Sequence, residues 1–386
     1  MALPADQFES KYLSNDLRSF DPYDIWKTEI GLRVKHMFNS SRIAGAFPAL
    51  VLTLSDNFFN SILRRLYTKQ EFPIVRALAA QILINRYSTT NDIRYLRSAE
   101  NHLTWLQKNI STGYSGACWG LGFRWPAAKD VIYDSNTPHT THSPYAIEAF
   151  HMYNQLVGKP AYEDLIVSSF AFFEKDVQIM YEDEKMMATS YGPLKDRIAT
   201  NAVSYVMYSY AMLLNYLPEK KDYIVKKILK LYKFIENKQL ANGSWHYISD
   251  DKNSFIDCFH SCFILKNILK SQKIIDLPDS SEVVNKGYQF ICNNFYDEKS
   301  GLYKRFAKAN KLSFVKFDLY DNAEMLRLTR MMHDTARNTN LGRAIKQFFV
   351  ERDDIYSTID WLGIRRNRNT LRWAVMPYLH ALSMSE

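Results

Sequence analysis

Wound as a helix, residues 198–217 are apolar or aromatic around almost the whole circumference, and a helix of that kind must be buried on nearly every side. The stretch that follows is different. Ile224, Ile228, Leu231 and Ile235 recur at spacings of four, three and four, with Lys226, Lys227, Lys230 and Lys233 between them, which predicts an outer helix with one wet face. The same alternation returns at 74–87 with 95–108, at 144–156 with 162–173, and at 256–270 with 282–294. Two further pairs fall near 25–67 and 319–349, and a last helix at 371–383. About six hairpins at a period of roughly 50 to 60 residues predict an all-α chain closed into an α/α toroid. With 47% hydrophobic residues and no Gly/Ser or Pro-rich run, residues 1–386 are expected to form one domain.

Local punctuation fits the helices. Ser143 before Pro144 predicts an N-cap and first turn, and Gly158 with Pro160 a stop. Strands are expected only as short pieces, at 245–248 and 301–306. Residues 1–12 carry Asp6 and Glu9 where a secretory signal needs a basic start and an apolar run, and the longest apolar run, 44–54, holds Pro48 and is far short of the roughly 20 residues a membrane span needs. A cytoplasmic location is therefore expected. Cys118, Cys258, Cys262 and Cys292 show no disulfide spacing. Cys258 and Cys262 lie four apart on a predicted helix, but no second ligand pair follows, so buried thiols are expected rather than a metal site.

The net charge of +8 suits an acidic partner. There is no nucleic-acid-binding motif or basic tail, whereas 25 Tyr, 23 Phe and 7 Trp supply ring faces on which sugars stack. In a toroid, the loops that enter the inner helices converge on a central cleft, and the unusual residues of this chain gather in such loops. Ahead of the third hairpin come Trp119, Arg124 and Trp125, then His139 and His142. The rings offer stacking surfaces, Arg124 a planar fork for a carboxylate, and the histidines acid–base groups. A second group is Trp245 and Tyr247 in a turn, then Ser254, Asp257 and His260 opening a helix. Asp257 and His260 share a helical face, so the Asp can orient a His base; alternatively, Ser254 and Asp257 form a capping box.

Asp318, Asp321 and Glu324 also share a face, as paired carboxylates for glycoside hydrolysis or as first-turn acids. Arg365, Arg366, Arg368 and Arg372 with Trp361 and Trp373 suggest a basic aromatic patch. The chain has no phosphate-cradling loop, dinucleotide fingerprint or His-Glu-x-x-His helix, and no cofactor or metal is expected.

The segments from Gln239 to Trp245 and Asn253 to His260, the run from Phe317 to Glu324, and residues 364–383 around Leu371 to Trp373 resemble a family of α/α-toroid proteins from bacterial capsule and O-antigen loci, some labelled prenyltransferase-like. That family usually carries His where Tyr320 stands here. Its fold is also similar to that of polysaccharide lyases and uronyl epimerases. The resemblance implies an enzyme of surface-glycan synthesis acting on an acidic glycan or a lipid-linked or nucleotide-linked sugar, peripherally associated with membrane-bound capsule machinery. The chemistry expected is proton abstraction at a uronic acid, with His260 or His142 as base, Asp257 behind His260, and Trp119, Arg124, Trp125, His139, Trp245, Tyr247, Asp318 and Arg372 as substrate contacts. A glycoside hydrolase using Asp257 and Asp318 is one alternative, and a non-catalytic glycan-binding scaffold is the other. A terpene cyclase is disfavoured, because Asp250-Asp251 and Asp353-Asp354 lack the third Asp of its motif.

Overall fold

The computed structural model describes residues 11–310 and 313–384, so Asp6 and Glu9 lie outside the described residues. Its helices are α1 (Glu29–Ser40), α2 (Arg42–Leu63), α3 (Pro73–Thr90), α4 (Ile93–Lys108), α5 (Ser143–Val157), α6 (Glu163–Lys175), α7 (Thr200–Leu213), α8 (Lys221–Asn237), α9 (Cys258–Gln272), α10 (Ser280–Asn294), α11 (Leu319–Met331), α12 (Thr335–Phe349) and α13 (Met376–Ser383). Six inner helices, α3, α5, α7, α9, α11 and α13, pack each on the next, and α13 closes the ring against α3. Outside them, α4, α6, α8, α10 and α12 each back the inner helix that precedes them. The expected α/α toroid is thus present.

Burial follows the sequence pattern. Every residue of α7 is buried, whereas α8 buries one stripe that includes Ile224, Ile228, Leu231 and Ile235. Of the lysines between, Lys226 and Lys233 are exposed, while Lys227 bonds Glu174 of α6 at 2.7 Å and Lys230 bonds Glu182 at 2.8 Å. Gly158 ends α5 in the left-handed conformation (φ 61°) that glycine adopts without a Cβ penalty.

Several expectations are corrected. The pair near 25–67 is not a ring hairpin: α1 and α2 pack chiefly on each other, with α1 also against the strand Trp125–Ala128. The N-cap of α5 is His142, because the Ser143 hydroxyl is engaged with the backbone N–H and C=O of Trp119 at 2.9 and 3.2 Å. Residues 245–248 form no strand beyond an isolated bridge from Ile248 to Ala199, whereas Leu302–Tyr303 and Phe306–Lys308 do form strands. A four-stranded antiparallel sheet unforeseen in the sequence joins Val315–Asp318, Val350–Glu351, Asp354–Asp360 and Arg365–Arg368. It splits the proposed basic patch, with Arg365, Arg366 and Arg368 on its last strand and Arg372 and Trp373 in a π-turn (Leu371–Val375) that leads into α13. Cys258 and Cys262 are buried, and no group of three metal-ligating side chains occurs among the described residues. No described helix is long and apolar enough to cross a membrane.

Candidate active site

The starts of the inner helices meet at one half-open cavity of about 320 Å³. Ile74 reaches it from α3, Tyr145 from α5, Asn201 and Tyr205 from α7, Phe259, His260 and Phe263 from α9, Tyr320 from α11, and Arg372 and Trp373 from the π-turn before α13. Helix N-termini carry partial positive charge and unspent backbone N–H groups, so their convergence favours a bound or developing anion. Among the described residues, no Asp or Glu lines the cavity.

His260 lies in the first turn of α9 between the rings of Tyr247 and Phe259, at centroid distances of 4.6 and 4.0 Å. Its Nδ1 meets both oxygens of the buried Asp257 carboxylate, at 2.9 and 2.8 Å. A carboxylate only accepts, so Nδ1 carries the proton and Nε2 is left as the basic nitrogen. Asp257 occupies the N-cap position but makes no capping bond, and Ser254 accepts from the Ile248 N–H at 3.0 Å, so the alternative capping box does not form. Asp321 accepts the Phe259 N–H at 2.9 Å and ties this turn to α11.

Across the cavity, His139 lies among the rings of Trp125, Tyr133, His142 and Tyr191. Burial, with Arg197 nearby, pushes its pKa down to about 3. Burial also holds His142 well below the usual imidazole range, assisted by His139 and Arg372. Both rings are therefore neutral near pH 7. That suits His142 to hydrogen-bond a substrate oxygen as a neutral imidazole, the role given to a neutral histidine in enolising enzymes.

The cations of the wall are matched by acids behind it. Arg372 pairs through Nε with Asp21, and Lys27 lies 3.5 Å from Asp21 and 3.1 Å from Asp24. Burial works against the Arg372 charge but Asp21 outweighs it, raising the pKa, whereas for Lys27 burial wins and lowers it. Lys35 stands 4.9 Å over the Trp125 ring, and Arg124 is half exposed, 3.3 Å from Asp134.

Of the side chains singled out from sequence, His139, His142, His260, Arg124, Trp125, Tyr247, Arg372 and Trp373 line the cavity. Trp119 and Trp245 do not. Both are buried, and their indole N–H groups donate at 2.9 Å to Leu106 and Ile235, near the C-terminal ends of α4 and α8. Asp318 is buried behind the wall: it caps α11 through the Tyr320 N–H and receives the Trp373 indole N–H at 2.8 Å. Trp373 in turn stacks on Tyr320 at 4.8 Å. Asp318 is thus placed to position Trp373 rather than to touch a ligand. Sequence reasoning missed the contribution of Tyr23, Trp26 and Lys27, ahead of α1, and of Tyr191 and the hydrogen-bonded pair Tyr145 and Tyr205 (2.7 Å). The aromatic pair at 23 and 26 was the available signal.

The buried histidines predict acid lability. His102 is also pushed to about 3 and His380 well below its usual value, both chiefly by burial. An unfolded His titrates near 6.5, so below that pH the unfolded state binds protons that the fold excludes, and stability falls by about 1.4 kcal/mol per pH unit for each such group. The loss continues down toward pH 3 for His102 and His139. Asp56, pushed up to about 6 by burial, works the opposite way between about pH 4 and 6, as do Asp24, Asp318 and Asp321, also raised by burial, but the five lowered histidines, His151 and His142 included, outnumber these four. Thermal unfolding followed from pH 7.5 to 5 should show a falling midpoint, and a flat or rising profile would contradict these burials.

No protein-family model matches the chain, and no curated protein matches it in sequence. Solved structures do resemble it. A sugar epimerase from a ruminal bacterium matches with TM-score 0.64 at 13% identity, over 81% of this chain and 86% of that one. Cellobiose 2-epimerase from Bacillus thermoamylovorans matches with TM-score 0.63 at 12% identity, over 81% and 86%. A GH76 α-mannanase from Bacteroides thetaiotaomicron matches with TM-score 0.59 at 11% identity, also over 81% and 86%. At such identities the likeness establishes the toroid fold, not the reaction.

Proposed function

We propose that this chain is a carbohydrate-active enzyme that removes a proton from a sugar carbon next to a carboxylate, as in a uronyl epimerase or lyase. The observation that carries this reading is the two-oxygen grip of Asp257 on His260 Nδ1 at 2.9 and 2.8 Å, beside a cavity where helix N-termini converge. His260 Nε2 takes the C5 proton, and the electron pair moves into the carboxyl group as an enolate, stabilised by the helix N-termini and by Arg372 or Arg124. Reprotonation from the other face gives the epimer; expulsion of the C4 substituent as an alcohol gives the unsaturated sugar.

The substrate class we assign is an acidic surface glycan or its lipid-linked or nucleotide-linked precursor, handled in the cytoplasm. Free cysteines fit a reducing compartment. Residues 1–386 serve this cavity as one domain, since its lining runs from Tyr23 to Trp373. Hydrolysis is the weaker reading, because two carboxylates must flank the scissile bond and none lines the cavity among the described residues.

One observation favours a neutral substrate as the second reading. The wall cations Lys27 and Arg372 are matched by Asp21 and Asp24, leaving little net charge for a carboxylate. The base would then act at C2 of an aldose, as the name cellobiose 2-epimerase says of that similar structure. Proton NMR in deuterated water, on a panel of uronic-acid glycans and reducing disaccharides, separates the two. Deuterium at C5 or a new alkene supports the uronate, and deuterium at C2 the aldose. Substrate cleaved without exchange would sink both.

A further inference from the structure

Helix α2 wears its apolar residues on the outside. Ile43 is 93% exposed, Phe47 74% and Ile62 59%; with Leu50 and Phe58 they stand four, three, eight and four residues apart, so that the first four share one helical face up to a kink at Phe59, beyond which Ile62 is exposed as well. The half-buried positions are in good part polar: Thr53, Asp56, Asn57 and Asn60. Asn57 gives its backbone C=O to Arg366, and Asn60 donates to Asp56 at 2.9 Å. A surface helix of a soluble domain is expected to show the opposite arrangement. The two helices of the hairpin approach closely: α1 and α2 cross at Gly45, where a Cβ would collide with the backbone of Phe38.

Beside the C-terminal end of α2 lies a second concavity, a groove of about 1070 Å³. It is lined by eight lysines and arginines and by one carboxylate, Asp16. Lys11 and Arg368 are paired with Asp354, and Arg366 with Asp360. Among the described residues, Arg64, Arg65 and Lys69 form no ion pair.

We propose that the α2 face and these cations are a docking surface for an anionic membrane, with α2 lying in the interface plane. An exposed apolar helix face flanked by unpaired lysine and arginine is the pattern of interfacial membrane helices, and the charge is complementary to anionic lipid. A second copy of the chain is the poorer occupant: each copy carries a net +8, and a self-complementary contact would set these cations against their own counterparts. The hairpin that carries this face also reaches the cavity, since α1, packed on α2, places Lys35 over Trp125 in the cavity wall. Docking would therefore hold the mouth near lipid headgroups, where a lipid-linked sugar presents itself. That last step rests on the glycan reading of the cavity, whereas the docking does not.

The test is co-sedimentation with vesicles of phosphatidylcholine alone and of phosphatidylcholine with one-third phosphatidylglycerol. Binding to the anionic vesicles should exceed binding to the neutral ones at least tenfold and weaken with salt. Ile43→Asp with Phe47→Asp should lower it at least tenfold, and Arg65→Glu with Lys69→Glu should abolish the preference for anionic lipid. All four side chains are exposed, and unchanged circular dichroism would show that the variants fold. Wild-type protein that stays in the supernatant would overturn the proposal. So would a dimer in solution that Phe47→Asp splits, because it would assign the face to a second copy. Proton exchange on a soluble glycoside is the independent readout of the cavity.

Discussion

Asp257→Asn lowers the rate of substrate proton exchange by about two to four orders of magnitude and leaves KM within a few-fold, because it removes an interaction that matters most when His260 takes on charge. The carboxylate does two things at once. It fixes the proton on Nδ1, so that Nε2 presents a lone pair, and it compensates the imidazolium formed as the substrate proton arrives. An amide of the same shape compensates no charge, and it can offer its NH₂ to Nδ1 and select the wrong tautomer. His260→Ala should lose at least as much. The fold tolerates Asp257→Asn, since the Asp257 side chain caps nothing and its backbone C=O still accepts the Ser261 hydroxyl. A drop confined to the turnover rate, with the unfolding midpoint little changed, identifies a group acting on the base. Exchange at the wild-type rate in His260→Ala would remove His260 from the mechanism, and in Asp257→Asn it would remove the carboxylate's part in it.

Much of the ring was legible because its two kinds of helix differ in how many sides they bury. The all-round apolar character of 198–217 and the lysine-faced stripe after it correspond to α7 and α8. Legible for the same reason was the place of the chemistry: His142 and His260 stand at the entrances of α5 and α9, and both reach the cavity. The tryptophans misled because an indole in a glycine-containing loop reads equally as a sugar platform or as a plug. Trp119 and Trp245 are plugs, each spending its N–H on a carbonyl near the end of an outer helix. What linked them was their like position after an outer helix, a sign of internal repetition.

Contacts that close over more than 300 residues were not legible. Arg372 belongs to the cavity because Asp21 holds it there, and Tyr12 donates to Asn369 at 2.6 Å, yet neither local pattern points at its partner. The sheet was hidden for a related reason. Its strands run from two to seven residues, and Arg365–Arg368 carries three arginines, so its stability comes from cross-strand pairing rather than from an apolar alternation.

Beneath the cavity, one to two turns further along the inner helices, lies a tier of buried charge, and Glu324→Gln should destabilise the protein by about 3 to 5 kcal/mol. Glu324, 1% exposed, accepts from Lys266 of α9 and lies 3.3 Å from Arg327 of its own helix. Glu148 of α5 binds Lys270 of α9 at 2.5 Å and accepts from Tyr208 of α7 at 2.9 Å. Three cations thus face two carboxylates, and His380 adds no charge, since burial and those cations hold it neutral. Removing Glu324 strands Lys266 and Arg327 with a single acid left in the tier. Part of the strain is relieved by deprotonating Lys266, whose pKa is already pushed well below its usual value by burial and by Arg327 and Lys270. The destabilisation should therefore grow as pH falls, because a lower pH makes that escape costlier. Lys266→Met combined with Glu324→Gln removes acid and cation together and should recover most of the loss, since a buried pair is costly mainly when half of it remains. Denaturant midpoints of the two single variants and the double variant decide the matter: additive losses would mean that Lys266 and Glu324 do not act as a pair.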